Sequence, residues 1–405
     1  MTGPLSDIRI VDLSRVLAGP FCTQILGDLG ADIIKIEKPG AGDDTRKWGP
    51  PYLKDKDGKD TSESAYYLSA NRNKRSAAID IATPEGRELI HRLLEKSDIL
   101  IENFKTGGLK KYSLDFSYVH KKHPHIIYAS ITGFGQTGPL SAEPGYDLMA
   151  QAMAGMMAVT GEPAGEPMKI GVALSDIMTG LYAAIGILSA LHKRRETGRG
   201  QQIDVALVDC TLASLTNLAQ YYLTSGKVAA RFGNSHSTIV PYQAFEAADG
   251  WMVVAVGNDS QFARFAKLLG HEEWAKDPRF ATNPARVIHR DVLLPLIAVA
   301  IKNRTRNEWL EGLEAIDVPG GPVNRIDEVF AMEQIQARNM RIEMGHALAS
   351  DPVPLIGSPL KLSETGVSYR QAPPVCGQNT DQVLRQLLEL DTNRINELRA
   401  RGVVA

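Results

Sequence analysis

Short runs of branched apolar side chains alternate with helical stretches along the first third of the chain, and that alternation restricts the fold more than any other feature. Residues 8–13 (IRIVDL) read as a buried strand, residues 19–29 as a helix and residues 32–36 (DIIKI) as a second strand. Strands this apolar are covered on both faces, and two of them joined through a helix lie parallel. The pattern returns downstream: residues 76–80 read as a strand, and Thr83-Pro84 open a helix to Lys96 as N-cap and first helical residue. Residues 98–102 (DILIE) and 125–130 (HIIYAS) add strands, and a long helix opening near Asp176 breaks at Arg199-Gly200 into a strand at 202–207. A chain of 405 residues can build two cores. Residues 1–200 are expected to form a doubly wound α/β domain.

Beyond it the composition changes. Residues 201–225 read as a linker helix, and residues 226–320 as a smaller α+β domain. Within the latter, 242–247 and 251–256 flank Asp249-Gly250 as a hairpin with a type I′ turn, and helical segments follow at 260–269, 288–302 and 307–316. The Pro/Gly stretch 318–323 (VPGGPV) reads as the exit loop, 321–380 as a return linker, and 381–405 as C-terminal helices that rejoin the first domain.

Several function classes drop out. A net charge of −2 gives no reason to expect a nucleic acid or an anionic membrane as partner. Cys22, Cys210 and Cys376 stand far apart, without metal-ligand spacing, which suits reduced thiols and a cytoplasmic location. Cys22 reads as a core residue, and His120, His123 and His125 as surface residues. The start of the chain has neither a basic n-region nor an apolar h-region. The nearest approach to a membrane span, 177–191, is short and reads as a buried helix. Glu37 ends the second strand where an acid would hold a dinucleotide ribose. The preceding turn, SRVLAGP at 14–20, lacks the GxGxxG through which backbone approaches a pyrophosphate.

The chemistry centres on Asp176, a lone acid at the start of the long helix. The positive end of a helix dipole stabilises an anion there by roughly 0.3–2 kcal/mol and keeps it available as a nucleophile. The alternative is that Ser175 or Asp176 serves only as an N-cap. Lys38, Arg46, Arg72, Lys74, Arg75, Lys105 and Lys111 supply cations near strand ends, either as solvated surface or as a site for a polyanion.

Residues 14–46, 71–86, 101–107 (IENFKTG), 131–139 (ITGFGQTGP), 144–147 (PGYD), 171–210 and 318–323, in this order and spacing, resemble the class III CoA-transferases, the CaiB/BaiF family. The resemblance implies a Rossmann-like CoA-binding domain, an interlocked homodimer, and Asp176 as the residue acylated during turnover. It implies acyl-CoA and small carboxylic acids as substrates, with no permanently bound cofactor and no metal. CoA contacts carry over to Leu17, Ala18, Lys38, Ile79, Asp80, Ile81, Ala82, Asn103, Phe104, Lys105, Lys111, Gly145 and Tyr146. The family commonly has arginine where Lys38 and Lys111 stand, so the charge is kept and the bidentate fork is not.

Racemases of the same fold carry a proton-shuttling histidine where Tyr146 stands. A phenol with an ordinary pKa of about 10 suits a hydrogen-bond donor better than a base. The sequence therefore reads as a transferase, with an α-methylacyl-CoA racemase or a catalytically silent acyl-CoA-binding protein as alternatives. Residues 233–243 (GNSHSTIVPYQ) replace the glycine run of formyl-CoA transferases. Together with 42–51 they resemble the dicarboxylate-using members, which implies a short dicarboxylic acceptor, succinyl-CoA or a similar donor, and a second anion site. Arg46, Arg72 and His236 are the candidates for that site, beside Tyr146.

Overall fold

Six strands build the central sheet: β1 (Arg9–Asp12), β2 (Asp32–Glu37), β3 (Lys74–Ala78), β4 (Ile99–Glu102), β5 (Ile127–Thr132) and β6 (Gln202–Ala206). All pairings are parallel and the order is β3-β2-β1-β4-β5-β6. The computed structural model describes residues 3–405; Met1 and Thr2, at the start of the expected first domain, lie outside the described residues. This order is that of a Rossmann-like doubly wound sheet, with its direction reversing between β1 and β4. Successive residues of a strand face opposite layers. Ile10, Ile33, Ile101 and Ile127 pack with Cys22 and Leu26 of α1 (Ala18–Asp28) and Ala183 and Ile187 of a long helix described below. Val11, Ile34, Leu100 and Tyr128 pack on the other side with Leu89, Ile90 and Leu93 of α2 (Pro84–Leu94) and with the C-terminal Val383, Leu384, Ile395 and Leu398. Thr83 Oγ1 caps α2 by accepting from Gly86 N–H at 3.0 Å.

The first compact unit comprises Met1–Met156, Lys169–Leu223 and Gln334–Ala405; the second comprises Met157–Met168 and Thr224–Glu333. The second unit thus takes in 157–168, which the sequence reading left in the first. The expected return linker is largely structured. Arg341–Met344 pairs antiparallel with Val353–Ile356, and Met344, Val353 and Leu355 bury themselves against Leu68 of the first unit.

Inside the second unit, β7 (Tyr242–Ala247), β8 (Gly250–Ala255) and β9 (Gly320–Pro322) form an antiparallel sheet in the order β9-β8-β7. The VPGGPV stretch is therefore an edge strand rather than an exit loop. Its glycines have a packing reason: a Cβ on Gly320 would lie 2.6 Å from Leu313 Cδ1. The hairpin turn falls one residue earlier than expected, at Ala248-Asp249. Neither residue has the positive φ that a type I′ turn requires.

Other departures are local. The expected linker helix splits into Leu207–Ser214 and Thr216–Ser225, separated where Thr216 takes a φ of 40°. His123 is not at the surface: it is buried with its Nε2 3.3 Å from His91 Nδ1, and burial, then His91, brings it down to about 4.

Candidate functional site

The residues that follow the C-terminal ends of the strands converge on two cavities. One, of about 420 Å³, is walled by Lys38 after β2, by Ile79, Asp80, Ile81 and Ala82 after β3, and by Phe104. The other, of about 620 Å³, is walled by Leu17 and Ala18 after β1, Asn103 and Lys105 after β4, Gly133 after β5 and Leu207 after β6, together with Gly145, Tyr146, Asp147 and Asp176. Arg15, Asp44 and Phe104 line both. Ligands of open α/β sheets bind at this edge, beside the switch point. Every position expected to contact CoA lines one of the two cavities except Lys111, whose ammonium sits 4.8 Å above the ring of Tyr112, a wall residue of the first.

The turn after β1 is held from several directions. Ser14 N–H donates to Asp12 Oδ1 at 2.8 Å, and Lys35 Nζ donates to Ser14 O at 3.0 Å and to Asp43 Oδ2 at 2.8 Å. Asn103 accepts from Arg15 N–H at 2.9 Å and donates back to Arg15 O at 2.7 Å. The Asn103 carboxamide therefore clamps the turn. Between these restraints Val16 adopts a φ of 71°, a conformation that β-branched residues avoid and that persists only where the surroundings enforce it. Leu17 then enters α1 with no side-chain cap. Arg15 and Val16 were passed over in the sequence because an isolated arginine and valine carry no motif. Their only signal was their place after a strand at the switch point.

Asp176 is the third residue of α4 (Leu174–Thr197), and the N-cap, Ala173, has no capping side chain. The cap comes from Asp147, at the start of α3 (Asp147–Met153): its Oδ1 accepts from Ser175 N–H at 2.8 Å and from Asp176 N–H at 3.4 Å. The Ser175 hydroxyl accepts from Thr211 Oγ1 at 2.7 Å. Neither Ser175 nor Asp176 is the cap, so that alternative falls. The Asp176 carboxylate accepts no hydrogen bond among the described residues. Burial, then the charge of Asp147, pushes it up to about 7. The helix dipole favours the anion, whereas desolvation and Asp147 oppose it.

The cations divide sharply. Arg46 is buried, with Nε and Nη2 on Glu37 at 2.9 and 2.7 Å, Nη1 on Glu63, and Nη2 also reaching Pro374 O. Arg72 forks onto Asp28 and reaches Ile356 O. Both expend their donors inside the fold, so neither has the free fork that a substrate carboxylate needs. Lys74 is buried on Pro20 O at 2.8 Å and Asn71 Oδ1 at 3.0 Å, and Arg75 pairs with Asp32. Lys38 and Lys105 remain on the cavity walls, joined by Arg15, which pairs with Asp44 at 2.6 Å. His236 lies in the second unit, its Nδ1 accepting from Thr238 N–H at 3.2 Å and its ring 5.3 Å from that of Tyr242. Beside it Arg290 donates to His236 O at 2.7 Å and lies over Phe232, with no carboxylate partner among the described residues. No group of three or more His, Cys, Asp or Glu side chains suited to a metal occurs among the described residues.

Residues 5–380 match the profile of CoA-transferase family III. The chain is 46% identical to a succinate–glutarate CoA-transferase of Agrobacterium fabrum, over 95% of this chain and 96% of that protein. It is 42% identical to the human succinyl-CoA:glutarate CoA-transferase, over 99% of this chain and 90% of that one. Among solved structures, a CaiB/BaiF family protein from Brucella suis superposes with a TM-score of 0.87 at 46% identity, covering 96% of this chain and all of that one.

Proposed function

The chain belongs to CoA-transferase family III and is a class III CoA-transferase, and from that premise we propose that it passes CoA from succinyl-CoA or a similar thioester to a short dicarboxylic acid through covalent intermediates on Asp176. The observation that carries this reading is the place of Asp176: an unpartnered carboxylate on the wall of the larger cavity, facing the segments after β1 and β4. The Asp176 carboxylate attacks the donor thioester carbonyl, the C–S bond breaks, and a mixed anhydride and CoA thiolate result. The thiolate attacks the aspartyl carbonyl, giving an aspartyl thioester and releasing the donor acid. The acceptor carboxylate then expels the thiolate to form a second anhydride. Attack of the thiolate on the acceptor carbonyl yields the new acyl-CoA and restores Asp176. A retained thiolate makes each return effectively intramolecular. The uncapped first amides of α1 are donors suited to each oxyanion.

The names of the Agrobacterium and human relatives support a dicarboxylate acceptor. With Arg46 and Arg72 committed to internal carboxylates, His236 is the expected candidate that remains for the distal carboxylate. The solvent face of α4 supports a homodimer: Leu181, Tyr182, Ile185 and Leu188 are exposed along it. The widely spaced free cysteines support work in the reducing cytoplasm. A panel of acyl-CoA donors and acid acceptors read by mass spectrometry tests the assignment. Glutarate or succinate should exceed butyrate as acceptor by two to four kcal/mol, about 30- to 1000-fold, because a site built for a second anion is left unpaired by butyrate. Replacing His236 by Ala should shrink that advantage. Equal use of butyrate and glutarate by the wild type would remove the dicarboxylate reading.

A further inference from the structure

The PGYD motif ends in a residue that the transfer chemistry does not itself require. Asp147 Oδ1 holds the first amides of α4, and its Oδ2 accepts from Gln151 Nε2 at 2.8 Å. Gln151, one turn further along α3 and fully buried, accepts from Ile170 N–H through Oε1 at 2.9 Å and donates to Val172 O at 3.4 Å. The two side chains thus grip the segment from Ile170 to Asp176 at four backbone points. A neutral serine, threonine or asparagine would cap a helix as well as an aspartate does. Here the cap brings a negative charge to the helix turn that bears the nucleophile, and no cation is bonded to either carboxylate among the described residues.

The other ionisable groups around them do not neutralise that pair. On the cavity wall Arg15 is engaged with Asp44, Lys105 forms no ion pair with either aspartate, and Glu143 adds a further acid beside Tyr146. Tyr66, which senses both aspartates, is pushed up to about 12, first by burial and then by Asp176 and Asp147, and so stays a neutral phenol.

We propose that Asp147 is a positioning residue with two separable actions: its oxygens fix the helix turn that aims Asp176, and its charge favours the acylated, uncharged forms of Asp176 over the free carboxylate. The inference rests on the reading of Asp176 as the acylated residue. Each covalent step on Asp176 turns an anion into a neutral anhydride or thioester. A fixed negative neighbour disfavours the anion more than the acyl forms, and it also makes the carboxylate more basic and hence a better nucleophile.

Asp147→Asn removes the charge while its amide oxygen still accepts from Ser175 N–H; the one bond it loses, from Gln151 Nε2, is lost as well in Gln151→Ala, which serves as its control. The expected result is thermal stability no lower than that of Gln151→Ala, an acidic limb of kcat/KM moved down by about one pH unit, and about tenfold less borohydride-trapped acyl-enzyme at steady state. Asp147→Ala loses the grip as well, so kcat should fall further while KM for the acyl-CoA stays close to wild type. Gln151→Ala should lower kcat without moving the pH limb. The proposal is overturned if wild-type enzyme yields the trapped adduct while the Asn variant keeps the wild-type pH limb and adduct level, or if Asn and Ala variants behave alike. Absence of any adduct on wild type during turnover would instead remove the reading of Asp176 on which the inference rests.

Discussion

In the first unit the charge cluster around Arg46 and the acidic pair at the start of α4 are built on opposite rules. In one, Arg46 is neutralised by Glu37 and Glu63, and Lys35 by Asp43, each donor meeting an acceptor at hydrogen-bond distance. Glu37 is thereby held below the usual carboxylate range despite its burial, by Arg46 and then Lys35. In the other, Asp176 and Asp147 share a helix start with no cation between them, and Asp176 rises to about 7. A closed network spends its charges on the fold; an open one leaves a carboxylate with strained electrostatics and a free face. The closed cluster is buried, whereas Asp176 and Asp147 are half-buried on the cavity side, so the proposed nucleophile keeps an accessible face that the structural carboxylates lack.

The two clusters should differ most in activity. Asp176→Ala should abolish transfer by at least about a thousandfold while the protein stays at least as stable as the wild type, since the cap of α4 is Asp147 and stays in place. A steady-state assay beside a thermal melt checks both halves, and an active alanine variant would end the contrast. The closed cluster should show the reverse. Arg46→Met leaves Glu37 and Glu63 buried without the cation they share and should cost about 3–5 kcal/mol in denaturant unfolding. If the loss instead fell on acceptor selectivity at unchanged stability, Arg46 would be a substrate residue after all.

A smaller effect sharpens the open cluster. The native carboxyl of Asp176 titrates near 7 and the unfolded one near its ordinary 3.8. Between those values the native state holds the proton that the unfolded chain has lost, so stability falls as pH rises through that window, and the full penalty is reached above 7. Asp176→Asn should therefore stabilise the fold at pH 8 by about 1 kcal/mol and leave it unchanged below pH 4. Chemical denaturation at the two pH values decides it; an equal effect at both would mean that desolvated charge is not the cause. Smallest of all, a 2-methylacyl-CoA incubated in heavy water should gain no enzyme-dependent deuterium at the α-carbon, because Tyr146 stands where a racemase needs a base.

Much of this was legible in the chain. The runs at β1, β2, β4 and β5 betrayed the parallel sheet because strands buried on both faces must be written in apolar residues. The cavity segments were legible through the order and spacing of their motifs. What stayed hidden was partnership across long sequence separations. Arg46 and Arg72 look identical to surface cations until Glu37, Glu63 and Asp28 are brought against them. Asp147 lies far from Ser175 in sequence, so its capping of α4 has no local signature, whereas Thr83-Pro84 announced α2 from adjacent residues. The turn at Val16 was invisible for the same reason: its positive φ is imposed by Asn103, Asp43 and Lys35, none of them its sequence neighbours. The edge strand at Gly320–Pro322 was missed because two glycines and a proline read as a loop, and only pairing with β8 makes them a strand.

If Asp176 carries the acyl group, oxygen of the acceptor must pass through its carboxylate, and isotope transfer reads that passage. Enzyme turning over an acyl-CoA with glutarate labelled by oxygen-18 in both carboxylates is quenched and digested, and the peptide containing Asp176 is weighed. Collapse of the second anhydride returns one acceptor oxygen to the aspartyl carboxylate, so label is expected in that peptide, at Asp176, and none in Asp147. Labelled acceptor converted to its CoA thioester while the Asp176 peptide stays unlabelled would contradict it.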